Sequence, residues 1–162
     1  MRYLYCLFLC LIAELSALPA SLVVPLLERA YPGKFSLWWL TPDNPIDGDS
    51  GHLERTKGWH WYPRQVWWLL RNRAYGFKLY VIGCPAPNKM RVYGNPYIKN
   101  RSNAVSGWLF LKAPDGWYFK FVLPIGFSYC LQWAFGWQLD SRIDGRCLFM
   151  FSPRLPTRFY PK

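Results

Sequence analysis

The chain opens on a nearly unbroken apolar run. Residues 3–27 carry one charge, Glu14. A helix over these residues would be about 37 Å long, enough to cross a hydrocarbon core of about 30 Å. Two features oppose a plain span. Glu14 lies near the middle, where an acidic group costs roughly 3 kcal/mol on insertion scales. Pro19 and Pro25 are expected to kink or end the helix. The preferred reading is a membrane anchor, spanning or lying partly in the interface. A cleaved signal peptide is the second reading: Arg2 is a short basic start, and Ala17 or Ala20 could precede a cut, although Leu15 or Leu18 then takes the −3 position. A buried helix of a soluble fold is the third.

The pattern changes after Gly51. Residues 63–73 predict a short helix with Pro63 at its first position, Val66, Trp67 and Leu70 on one face, and a basic flank of Arg64, Arg71 and Arg73. From Phe77 onward the spacing favours strands. A short strand is expected over 78–82, then a loop over 85–103 with a short strand at 90–93. The clearest hairpin joins 107–112 to 117–123 across Pro114-Asp115-Gly116. On its second strand Trp117, Phe119, Phe121 and Leu123 share one face, and Tyr118 and Lys120 share the other. A second pair joins 129–139 to 146–151, with Cys147, Phe149 and Phe151 on one face. The proline-rich tail after Ser152 reads as extended or irregular. The expected fold is α+β, mainly β with a short helix, behind an N-terminal transmembrane or membrane-anchoring helix. The expected organisation is an apolar segment over 1–27, a linker loop over 28–62, and a β-rich domain over 63–162.

Charge sharpens this division. The net charge is +11 over 162 residues. Residues 28–54 sum to −3 and residues 55–162 to +14. An acidic loop therefore precedes a basic body, which suits anionic lipid, nucleic acid or the loop itself. Aromatic residues make up 20% of the chain and charged ones 18%, a balance that favours interfaces with apolar partners. Cys84, Cys130 and Cys147 leave an odd number of thiols in the body. With Cys6 and Cys10 they read as small buried residues rather than a disulfide framework. No zinc-ligand spacing occurs, and no cofactor is expected.

The acidic loop is the most particular stretch: Trp38 and Trp39 lead into Thr41-Pro42-Asp43-Asn44-Pro45-Ile46-Asp47-Gly48-Asp49-Ser50-Gly51. Asp43, Asn44, Asp47 and Asp49 offer hard oxygen ligands, but their spacing does not match a calcium-binding loop. Gly48-Asp49-Ser50-Gly51 imitates a serine-protease nucleophile, yet His52-Leu53 follows it and both histidines come later in the chain. Acid–base chemistry by Asp47 or Asp49 with His52 or His60 lacks a completing group. The preferred reading is structural: Asp and Asn close turns through their own backbone, and the glycines permit positive φ. Arg64, Arg71 and Arg73 are the candidate contacts to an anionic surface. Nucleic-acid contact by Arg71, Arg73, Arg91, Lys99 and Arg101 among Trp68, Tyr75, Tyr93 and Tyr97 is the weaker alternative, since no recognised nucleic-acid motif accompanies it.

Residues 38–49 (WWLTPDNPIDGD) and 68–77 (WLLRNRAYGF), with 136–139 (GWQL) and 145–153 (GRCLFMFSP), resemble a family of small uncharacterised proteins encoded by tailed bacteriophages. The resemblance implies a phage origin and a membrane-associated architecture, and no activity. The expectation is a non-enzymatic accessory protein at the host inner membrane, with its basic domain cytoplasmic by charge bias. A virion-associated or nucleic-acid-contacting structural protein is the alternative, and a hydrolase-like enzyme using the acidic loop is third.

Overall fold

A computed structural model describes residues 2–33, 38–98, 105–127 and 129–158, with the backbone alone for 153–158. Lys34, Lys99 and Arg101 lie outside the described residues. The fold is α+β: an apolar N-terminal helix comes first and antiparallel strands come last. The chain divides into two compact units, residues 1–82 and 83–162. The basic helix near residue 63 thus belongs with the apolar N-terminus, whereas composition had grouped it with the strands.

In the first unit α1 (Arg2–Ala30) is a single 29-residue helix. It runs through Pro19 and Pro25 rather than ending at either. Between them Ser21 Oγ donates to the Leu18 carbonyl at 2.7 Å and the Tyr62 hydroxyl donates to the Leu22 carbonyl at 2.9 Å. One strip of α1 is buried, at Cys6, Cys10, Ala13, Ala17, Ser21 and Val24. Its residues are small and recur every three or four positions, which lets another helix approach closely.

That neighbour is α3 (Trp61–Arg71), which packs on α1 together with the residues that follow it. Val24 meets Trp68 and Leu69, and Ala13 and Ala17 meet Ala74 and Phe77. The buried residues of α3 are Gln65, Trp68 and Leu69. Trp67, expected on the inner face, is 49% exposed, because the helix is turned to bring Gln65 inward.

Residues Phe77–Val81 form a π-helical turn and not the expected strand. The turn sets Lys78 Nζ 3.1 Å from Glu14 Oε1. Phe77 also donates its N–H to the Trp38 carbonyl at 3.0 Å, and the two rings meet edge to face at 5.8 Å. Trp39 packs against both clusters along α1. The tryptophan pair is thus a wedge between α1 and the segment that lies along it.

The second unit is a five-stranded antiparallel sheet in the order β2-β3-β4-β5-β7, beside a small pair β1-β6. The strands are β1 (Cys84–Pro85), β2 (Arg91–Gly94), β3 (Gly107–Ala113), β4 (Gly116–Gly126), β5 (Tyr129–Trp137), β6 (Arg146–Cys147) and β7 (Phe149–Arg158). The β3–β4 hairpin falls where the Pro-Asp-Gly turn placed it, with Ala113 opposite Gly116. The tail does not become irregular after Ser152. β7 continues to Arg158 along β5, because an edge strand leaves one row of backbone groups unpaired and so tolerates Pro153 and Pro156.

The two faces of the sheet differ sharply. Leu109, Leu111, Tyr118, Lys120, Val122, Cys130, Gln132 and Ala134 are all buried. Opposite them runs one cross-strand aromatic row in register through all five strands: Tyr93, Phe110, Phe119, Phe135 and Phe151. Most of this row is only half-buried. The face that buries lysine and glutamine is the covered one, and the face rich in phenylalanine is the more open one.

Candidate functional site

The acidic motif builds two consecutive turns and the start of a helix. Asn44 donates its N–H to the Thr41 carbonyl at 3.3 Å, and Gly48 donates to the Pro45 carbonyl at 2.8 Å. Asp49 then has an extended backbone and caps α2 (Ser50–Arg55), its Oδ1 accepting the His52 N–H at 2.6 Å. This is the ordinary work of an N-cap aspartate, satisfying a donor that the first helical turn leaves open.

Asp47 faces the other way, onto α3. Its Oδ1 accepts from Arg64 Nε at 3.0 Å, Arg64 Nη2 at 2.7 Å and Gln65 Nε2 at 3.2 Å. Asp43 is exposed at the surface of the first turn. The four candidate oxygen donors therefore do not converge. Among the described residues no group of three or more His, Cys, Asp or Glu is placed to hold a metal ion.

His52 is the residue whose role sequence reading missed. It is fully buried, and its ring lies 5.1 Å from that of Trp68. Its Nε2 is 3.0 Å from the Arg64 carbonyl, and its Nδ1 is 3.3 Å from Arg71 Nη1. A carbonyl only accepts and a guanidinium only donates, so the neutral ring protonated at Nε2 satisfies both. Neither ring nitrogen is open to a substrate. His60 stands apart at the start of α3, exposed beside Trp61 at 5.5 Å. The histidine–aspartate constellation is thus not assembled: Asp49 holds the backbone of His52, not its ring.

Gly48 shows how tightly this region is built. Its φ is +92°, and a β-carbon there would sit 2.7 Å from the Trp68 ring and 2.8 Å from His52. The Trp68 indole N–H is 3.3 Å from Thr41 Oγ1, which closes the other side. Residues 41–56 form a clamp around α3, and that accounts for the motif's density of Asp, Pro and Gly.

The three candidate anion contacts, two on α3 and Arg73 just beyond its end, separate into two kinds. Arg64 is paired with Asp47 and partly buried. Arg71 and Arg73 are exposed, although Arg71 also reaches His52 and stands 5.9 Å from the Trp68 ring centre. Near the C-terminal end of α1 a pocket of about 220 Å³ is lined by Glu28, Arg29, Ile46, Trp61 and Gln65 among others. Glu28 Oε1 accepts the Gly33 N–H at 2.8 Å, and Arg29 lies 4.6 Å over the Trp61 ring.

The most conspicuous exposed feature is on α1. Leu4, Phe8, Leu11, Ile12, Leu15, Leu18, Leu22, Val23 and Leu26 are all exposed, and only 28% of the most apolar 18-residue window is buried. In the sheet unit Lys89, Arg91 and Lys112 line a second pocket, of about 440 Å³. Arg91 and Lys112 are register partners on the same face as Tyr93 and Phe110.

Two thiols also meet. Cys84 and Cys147 are Cα partners across β1 and β6, and both are fully buried. The hydrogen bond with Cys84, and burial, push the Cys147 thiol well above its ordinary range. Cys147 is held protonated, and burial keeps both thiols from nucleophilic attack.

These parts define an α+β chain with a long, partly uncovered apolar N-terminal helix, a clamp motif and a cationic antiparallel sheet. It belongs to a family of unknown function, DUF7338, whose profile matches residues 1–156. No curated protein and no solved structure matches it.

Proposed function

We propose that this chain is a non-enzymatic, membrane-associated accessory protein, encoded by a tailed bacteriophage and acting at the host inner membrane with its cationic sheet unit on the cytoplasmic side. The observation that carries this reading is the exposed leucine-rich strip of α1. A long helix in a soluble core hides its apolar residues, whereas here the small residues face the protein and the large ones face outward. An exposed apolar patch of that extent marks an interaction surface, and the run over residues 3–27, with Glu14 as its one charge, suits lipid.

The packing of α1 argues for a helix lying along the membrane surface rather than a lone span. Arg64, Arg71, Arg73 and Lys78 all belong to the segment packed along it. Carrying four cations to the depth of the bilayer costs roughly 3 kcal/mol each. With α1 in the interface its outer strip reaches the acyl chains, and the exposed Arg71 and Arg73 meet anionic headgroups. The phage assignment rests on the resemblance of residues 38–49 and 68–77.

Membrane fractionation with an alkaline carbonate wash tests this reading. The full chain should stay in the pellet, and Leu11→Gln with Leu15→Gln and Leu22→Gln should move most of it to the supernatant while it remains folded. Wild-type protein recovered in the soluble fraction before the wash would overturn the proposal.

A second reading has its own support. The aromatic row from Tyr93 to Phe151, flanked by Arg91 and Lys112, has the composition of a single-strand nucleic-acid platform, where bases stack on rings and cations meet phosphates. Binding of a labelled oligonucleotide that weakens steeply between low and moderate salt, and is lost in Tyr93→Ala, would favour it.

A further inference from the structure

We infer that the tip of the β4–β5 hairpin is a second membrane contact, which inserts its apolar side chains into an anionic phospholipid surface. This extends the membrane reading to the sheet unit and rests on it for the choice of occupant.

Phe127 stands at the tip with 98% of its surface exposed and a left-handed φ of +51°. Leu123, Ile125 and Tyr129 are exposed beside it. Soluble proteins guard such hairpin ends with charged residues, which keep a strand end from sticking to other surfaces. This hairpin has none, because residues 121–139 contain no charged side chain. Four exposed apolar side chains are therefore grouped at this end of the sheet.

Three features select a bilayer as the occupant. The polarity of the unit is graded. Beyond the apolar tip comes a cross-strand row of Trp108, Phe121 and Trp133, in register across β3, β4 and β5, and both tryptophans are exposed. Tryptophans behind an apolar tip match the order of acyl chain and headgroup region. Charge is complementary as well. Residues 83–162 hold eleven Lys and Arg against three Asp, and the neighbouring strand places Arg158 opposite Tyr129. Finally, the apolar end is small, a form suited to shallow insertion and unlike the broad flat patch of a stable protein interface.

The test uses the full chain with an environment-sensitive NBD fluorophore attached at Phe127→Cys, and separately at Leu15→Cys on the outer strip of α1. Wild-type protein treated identically serves as the control, since all five native thiols are buried. On mixing with vesicles of phosphatidylcholine and phosphatidylglycerol, the label at 127 should shift to shorter wavelength and brighten severalfold. Nitroxide-bearing phospholipids should quench it.

A response at 15 alone overturns the hairpin inference and leaves the membrane reading standing. A response at 127 alone supports the inference and removes the observation on which the α1 reading rests. Silence at both overturns both. A shift at 127 without vesicles, growing with protein concentration, assigns the tip to a second copy of the chain and overturns the lipid assignment. An equal response on pure phosphatidylcholine overturns the anionic part of the claim.

Discussion

Gly48 and His52 carry the most information per residue in the chain. At Gly48 the backbone is left-handed and two rings close over the α-carbon, so Gly48→Ala should lower stability by about 2 kcal/mol, read from the urea midpoint in mild detergent. Gly51 has no such strain, and its nearest outside neighbour is the flexible end of Arg55 at 3.4 Å. Gly51→Ala inside α2 should be neutral or stabilising by a few tenths of a kcal/mol. The contrast separates a required glycine from an incidental one in the same motif. Asp43, Asp47 and Asp49 read in the sequence as turn-builders; Asp49 acts so by capping a helix, whereas Asp47 ties the loop to α3. What the sequence did not disclose is that His52 belongs to the same clamp. A lone histidine carries no periodicity, and its partners come from residues 64 and 71, a dozen or more positions away. The thiols make a similar case. Cys84 and Cys147 are far apart in sequence yet face each other, and nothing in their spacing reveals it. Both should react with iodoacetamide at pH 8 about a hundredfold more slowly in the folded protein than after unfolding, because both native thiols are buried and that of Cys147 is held protonated.

Strands with a clear turn between them were the most legible elements. The β3–β4 hairpin combines alternating apolar residues with Pro114-Asp115, and both signals agree. The element over 77–81 is the instructive failure. A short apolar run cannot be told from a buried helical turn by periodicity alone, and here tertiary contacts decide. Lys78 reaches Glu14, and Leu79 is wholly buried. The pair is partly exposed, at 15% and 23% of the two side chains. Lys78→Met should therefore cost about 2 kcal/mol by leaving Glu14 unpaired in an apolar setting. Adding Glu14→Gln should recover most of that loss. A double-mutant cycle in urea reads the coupling, and simple additivity would show that the pair does not hold the π-helical turn to α1. The face of α3 was misjudged for a related reason. Residues 66–70 are all apolar, so hydrophobicity gives no preferred side, and the bond from Gln65 to Asp47 sets the rotation.

At the scale of the whole molecule, the two units show opposite arrangements of the usual inside and outside. α1 turns its small residues toward the protein and its leucines outward, and the sheet covers Lys120 and Gln132 while leaving much of its aromatic face open. Composition made this partly legible, since a chain with 20% aromatic and 18% charged residues has more apolar surface than one small core can hide. It could not say which faces remain open, because that depends on which strips pack together. The proposed membrane association requires that the outer strip of α1 lie in lipid while its inner strip packs on α3. Photolabelling with a carbene-generating phospholipid, followed by peptide mapping, distinguishes the two strips. Adducts are expected on Leu4, Leu11, Leu15, Leu18, Leu22 and Leu26, with Ala13, Ala17 and Ser21 spared. Adducts spread evenly around the helix, or none within residues 2–30, would contradict it.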